Sequence, residues 1–198
     1  MSTIQPQTYT IALQEALHYS RQAAGIYQQA ADLMTTAGWQ VIAHAFRFTA
    51  AQEREHAAVL QGLLQTCGVT PESPPSTDVS LPREPEALLQ HALERECACA
   101  EDLLPAAARE AAGADQPRIA EALGRIAETE LQHAQRFRQY LTALQDGTLL
   151  RSAERTSWLC LPCGSLHFGC DAPSACDGCG GGPGHFIRTD FHPFAVRR

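Results

Sequence analysis

The stretch CLPCGSLHFGCDAPSACDGC carries Cys160 and Cys163, then Cys176 and Cys179. Two residues separate the members of each pair, and twelve separate the pairs. A two-residue gap lets both sulfurs of a tight turn reach one ion, and two such turns make a tetrahedral sulfur site. Gly164 and Gly180 follow the second cysteine of each pair, where the backbone must turn so that amide N–H groups can point at sulfur. Thiolates are soft donors, so zinc and iron both remain open. Zinc would make the segment a structural ribbon; iron would make it a one-electron relay. His167, Cys170 and His185 lie close by and read as bystanders.

A second constellation sits upstream. Glu53 and His56, in AQEREHA, and Glu130 and His133, in ETELQHAQRF, share the spacing Glu-x-x-His. Residues three apart on a helix share a face, so each pair can offer a carboxylate and an imidazole to one ion. Glu96 and Cys99 repeat the spacing in LERECACAED. Cys97 and Cys99 are two apart and must face differently; Cys99 is expected inward beside the carboxylates, Cys97 elsewhere. As a metal ligand or redox thiol Cys99 would have its pKa lowered by the metal. Its simpler role is that of a small apolar side chain. Glu15 and His18 have the same spacing but lie off the apolar stripe and read as surface residues.

Four segments of helical periodicity have to position these groups. They are expected over about 8–37, 38–67, 84–112 and 116–146, with Pro105 kinking the third. Glu53 and His56 extend the line Ile42, Ala45, Thr49, and Glu130 and His133 extend Ile119, Ile126. Glu96 and Cys99 lie between Leu89, Ala92 and Leu103. Residues 68–87 are rich in Pro, Ser and acids and read as a long non-helical connection; the other two connections are short. Two hairpins joined by one long crossing is the connectivity of a ferritin-like four-helix bundle, and two Glu-x-x-His motifs plus a further Glu is the inward set of carboxylate-bridged two-iron bundles. The expected organisation is mainly α: a bundle over 1–149, then, past the linker LLRSAERTS, a small four-cysteine metal domain over 150–198.

Composition limits the partners. The chain has 198 residues, 44% hydrophobic and 19% charged, with a net charge of −7. Residues 1–150 carry 18 acids against 10 Arg, and residues 151–198 carry 4 acids against 5 Arg. An acidic body argues against nucleic acid. No apolar run approaches the roughly 18 residues of a membrane span. The start MSTIQPQTYT lacks a signal-peptide pattern, so a soluble, cytoplasmic protein is expected. Eight cysteines in such a compartment point to metal or thiol chemistry before disulfides.

These motifs together resemble the rubrerythrins over nearly the whole chain. The tail is similar to the rubredoxin-like module in W-x-C-x-x-C-G at Trp158–Gly164, A-P-x-x-C at Ala172–Cys176, and GHF at 184–186. QEREHA at 52–57 is close to the second-helix motif. The resemblance implies a non-haem iron peroxidase that reduces hydrogen peroxide to water. One iron would sit in the four-cysteine site and two in the bundle, bridged by Glu53 and Glu130, with His56 and His133 completing the coordination. Tyr27 would hydrogen-bond near the site. An external donor such as an NADH-linked reductase, and a homodimer, are implied with it. The family also supplies a metal-binding Glu from the first helix and Glu-x-x-Glu from the third. Aligning on Tyr27 and Pro105 puts Ser20 and Cys99 at two of those positions. That departure keeps another class of reading open: a ferritin-like protein binding iron or zinc with little or no turnover. Oxygen rather than peroxide as the oxidant is a third reading.

Overall fold

The computed structural model describes residues 8–73 and 79–191. Helix α1 runs Thr8–Thr36 and α2 Gln40–Thr66. α3, Pro85–Ala98, passes through a π-helical turn, Cys99–Leu103, into α4, Leu104–Gly113. α5 spans Pro117–Gln145. The fold is a four-helix bundle in which α3 and α4 together make the third rod, followed by a small sheet. The helical segments expected from periodicity are met within one or two residues at each end, the usual fraying of helix termini. Of the long connection read over 68–87, residues 74–78 lie outside the described residues; 69–73 and 79–82 are non-helical, and α3 starts at Pro85.

Where a kink is expected at Pro105, the helix passes through a π-helical turn. Proline has no N–H and its ring crowds the preceding turn, so the helix must open before it. It does so by widening: the Leu104 N–H bonds to Cys99 O, five residues back. Pro105 then sits in the first turn of α4, where a missing N–H costs nothing. The turn between α4 and α5 closes with Asp115 N–H on Ala112 O and Gln116 N–H on Ala111 O. Asp115 carries the left-handed conformation there, at φ 57°.

The segment 149–157, read as a linker, is mostly strand. β1 spans Arg151–Cys160, β2 Leu166–Asp171 and β3 Phe186–Arg188, in the antiparallel order β2-β1-β3. Its inward positions come at every second residue: Trp158 and Cys160 are buried, and with Cys176 and Phe186 they form a small core.

By contacts the chain divides into two compact units. The first takes residues 1–27, 49–80 and 92–135. Its apolar core includes Leu13 and Leu17 of α1, Leu60 of α2, Leu104 of α4 and Leu123 and Ile126 of α5, together with Cys99. The second takes residues 28–48, 81–91 and 136–198. In it Phe46 and Phe137 pack with ring centroids 5.0 Å apart, and Tyr140 meets Phe191 edge-on at 4.9 Å. Gly184 lies so close to the α1–α2 turn that a Cβ there would collide with the Gly38 carbonyl. Among the described residues no helix is long and apolar enough to cross a membrane.

Candidate metal centres

The two cysteine pairs fold into matching turns. Cys160 N–H donates to Ser165 O and Cys176 N–H to Gly181 O, each five residues on, at 2.9 and 2.8 Å. Gly164 N–H returns to Cys160 O and Gly180 N–H to Cys176 O, at 2.8 and 2.7 Å. Closing both turns takes a left-handed residue, and Gly164 and Gly180 supply it at φ 77° and 74°. The sulfurs face one another: Cys160 Sγ is 3.6 Å from Cys179 Sγ, and Cys163 Sγ is 3.5 Å from Cys176 Sγ. That is far beyond a disulfide bond. It approaches the edge of a tetrahedron with metal–sulfur bonds of about 2.3 Å, roughly 3.8 Å. All eight cysteines are free.

His167, read as a bystander, is outside the four-sulfur group but touches it, with Nε2 3.6 Å from Cys176 Sγ. Burial works against a Cys176 thiolate. The His167 hydrogen bond and the Gly178 and Cys179 amides outweigh it and bring the thiol down to about 5. Cys160, deeper in the small core, is pushed by burial up to about 12. Cys170 is exposed and the His185 ring lies against Gly181, neither among the four.

In the first unit the carboxylates and imidazoles converge. Glu53, Glu96, Glu130 and His133 have no solvent exposure. One ligand atom from each lies within 4.8 Å of all the others. His133 Nδ1 is 3.1 Å from Glu53 Oε1, 3.3 Å from Glu96 Oε2 and 2.9 Å from Glu130 Oε2. His56 Nδ1 approaches the second oxygens of the same carboxylates, Glu130 Oε1 at 2.9 Å and Glu53 Oε2 at 3.6 Å. The two imidazoles stack with centroids 5.5 Å apart. Glu53 and Glu130 thus each turn one oxygen toward His133 and the other toward His56.

Two features fit a cation site better than a hydrogen-bond network. One imidazole N–H cannot serve three carboxylates at once. And Glu53 Oε2, Glu130 Oε1 and His56 Nδ1 are buried without a hydrogen-bond partner, the 2.9 Å approach of His56 to Glu130 lacking the angle of one. Separations of 2.9–3.3 Å match neighbouring ligands around an ion with bonds of about 2.1 Å, for which an octahedral edge is roughly 3.0 Å. Burying three carboxylates without a cation would cost several kcal/mol for each.

The charges lean the same way. Burial opposes charge on His133 and His56, yet the surrounding carboxylates outweigh it and raise them to about 11 and about 9. Burial would also raise Glu53 and Glu130, but the imidazoles hold both below the usual carboxylate range. Glu96 goes the other way, pushed up to about 7 by burial and by Glu130 beside it, against His133. Tyr27, on α1 and fully buried, donates its hydroxyl to Glu96 Oε1, leaving Oε2 to face His133.

Of the other residues singled out in the sequence, Cys99 is buried and Cys97 half-buried, as the helix geometry required. Cys99 is outside the four-residue ligand group. Burial, together with the charges of Glu130, Glu53 and Glu96, holds its thiol far above the usual thiol range. Ser20 is buried at 2% exposure. Sequence reasoning missed Tyr19, whose hydroxyl donates to Arg95 O and whose ring lies 4.8 Å from the Arg95 guanidinium, bracing the turn that presents Glu96. Nothing in the local spacing signals a partner 76 residues away.

The chain is 30% identical over 158 residues to the rubrerythrin of Porphyromonas gingivalis, covering 80% of this chain and 78% of that one. To the rubrerythrin of Nitratidesulfovibrio vulgaris it is 30% identical over 149 residues, covering 75% and 77%. Among solved structures, partially reduced nigerythrin superposes with a TM-score of 0.63 at 21% identity, covering 94% of this chain and 89% of that one. That likeness is one of fold. The family model described as Rubrerythrin matches residues 12–141, a span that takes in every member of the carboxylate–imidazole cluster, and this chain belongs to the rubrerythrin family.

Proposed function

We propose that the chain is a non-haem iron peroxidase that reduces hydrogen peroxide to water, drawing electrons through iron in the four-cysteine site. The observation that carries this reading is the convergence of three buried carboxylates and His133 within 4.8 Å, with His56 on the far oxygens of two of them. Iron held there would supply electrons and Lewis acidity. The reaction consumes two electrons and two protons per peroxide and yields two waters. Glu53 and Glu130 would each serve both halves of the site, because each presents its two oxygens to different imidazoles. Tyr27 occupies Glu96 Oε1, so Glu96 offers Oε2 alone. The cluster shares its unit with an apolar core that includes Leu60, Leu104 and Ile126, and the His133 side chain has no exposure to water. The external donor in this reading is an NADH-linked reductase and the working form a homodimer.

A second reading, a metal-binding protein with little turnover, draws on the buried Ser20 and on Cys99 standing outside the ligand group. One experiment separates the two: metal analysis of the full chain as purified, with peroxide-dependent oxidation of the reduced protein followed in a stopped-flow instrument. About three iron ions per chain, with tail iron that is reoxidised by peroxide, support the peroxidase. Zinc in the tail and no oxidation by peroxide overturn it.

A further inference from the structure

The cluster in the bundle has two unequal halves. One half gathers four donors: Glu53 Oε1, Glu96 Oε2, Glu130 Oε2 and His133 Nδ1. The other gathers three: His56 Nδ1, Glu53 Oε2 and Glu130 Oε1. No carboxylate belongs to the second half alone. Among the described residues the buried acids are Glu53, Glu96 and Glu130, and all three already face His133. The other buried polar groups of this unit, Thr10, Ser20 and Thr49, are neutral hydroxyls. The halves also differ in access to water: the His133 side chain has no exposure, whereas that of His56 has 12%.

We infer that the bundle loads divalent metal in two steps, one ion held tightly in the Glu96–His133 half and a second held weakly and exchangeably in the His56 half. Ligand charge sets the order. Three carboxylates more than neutralise the first ion, leaving a single negative charge. The second ion must share Glu53 and Glu130 with the first, brings no new anion, and turns the cluster net positive. Affinity for a hard divalent ion follows ligand charge and site rigidity. The second half has no anion of its own and one donor fewer, and water fills what the protein does not provide.

This inference rests on the metal-binding part of the proposed function but not on turnover. Its test uses manganese(II) on the full chain, because the carboxylate oxygens of the bundle suit manganese whereas the soft thiolates of the tail do not. Free manganese is counted by its paramagnetic resonance signal during titration. Two classes of site are expected, with dissociation constants at least about tenfold apart. His56→Gln should remove the weak class and leave the tight constant within about twofold. Glu96→Gln should weaken the tight class at least about tenfold. Circular dichroism reports whether each variant is folded; if one is not, the wild-type titration decides alone. Two equal sites, a single class, or a His56→Gln effect shared by both classes overturns stepwise loading while leaving the peroxidase reading intact. No manganese bound at all overturns both.

Discussion

The Tyr27 hydroxyl donates to Glu96 Oε1 across 69 residues of sequence, tying α1 to the last turn of α3. Neither side chain has any solvent exposure. Tyr27→Phe removes the donor and leaves a carboxylate oxygen buried and unserved, which costs about 1–3 kcal/mol. Denaturant unfolding of the metal-free variant should show that loss. An unchanged unfolding midpoint would mean that Glu96 finds another donor.

Metal uptake by the bundle should depend steeply on pH. Without metal, His133 and His56 are raised to about 11 and about 9, and Glu96 to about 7, so an entering ion must displace their protons. Below about pH 7 up to three protons leave, between about 7 and 9 the two from the imidazoles, and above about 9 that of His133 alone. Affinity therefore climbs with pH, more steeply below about 7 than above. Calorimetry in buffers of different ionisation enthalpy counts the protons released.

The same groups set the acid and alkaline limits of the metal-free fold. Raised imidazoles stabilise fully below their ordinary pKa of about 6.5, and that stability drains away as pH rises through about 9 and then about 11. Lowered Glu53 and Glu130 stabilise above the ordinary carboxylate range and stop doing so as pH falls below it. Glu96, raised, works in the opposite sense between the usual carboxylate range and about 7, where it favours the unfolded chain as pH rises. Thermal melts of the metal-free chain should fall between about pH 7 and pH 10, a loss that bound metal suppresses.

His167→Phe should release Cys176. With its Nε2 contact removed, the thiol of the metal-free tail moves up from about 5, leaving the Gly178 and Cys179 amides to hold what depression remains. Thiolate ultraviolet absorbance against pH reads the shift. A curve identical to wild type would show that the amides act alone.

Gly184→Ala should loosen the second unit. The added methyl runs into the Gly38 carbonyl, a backbone atom with no rotamer to yield. Overpacking of this kind costs about 1–3 kcal/mol. A lower melting temperature with an unchanged four-sulfur metal spectrum is the expected pairing.

Much of this was legible from spacing. The Glu-x-x-His pairs lay on apolar lines, so their inward aim followed from helix periodicity, and the cysteine pairs with their trailing glycines announced the matching turns. What spacing left out is long-range. β1 hides inside LLRSAERTS because arginine and glutamate on its outer face mask the alternation that buries Trp158 and Cys160. The grip of Tyr19 on Arg95 and of His167 on Cys176 depends on how the chain returns on itself. So does the sharing of Glu53 and Glu130 between two imidazoles, which required distances rather than residue types.

The wide turn at Cys99–Leu103 has a consequence for the third rod as a whole. In an unbroken α-helix Glu96 and Leu104 would stand about 80° apart around the axis. Absorbing one surplus residue winds the later part back by about 100°, so that Leu104 comes within roughly 20° of Glu96 and Ala111 within roughly 40°. The bulge is a phase corrector. It lets a single rod keep a carboxylate and a hydrophobic seam on one meridian, and deleting one residue from it would rotate the two out of step.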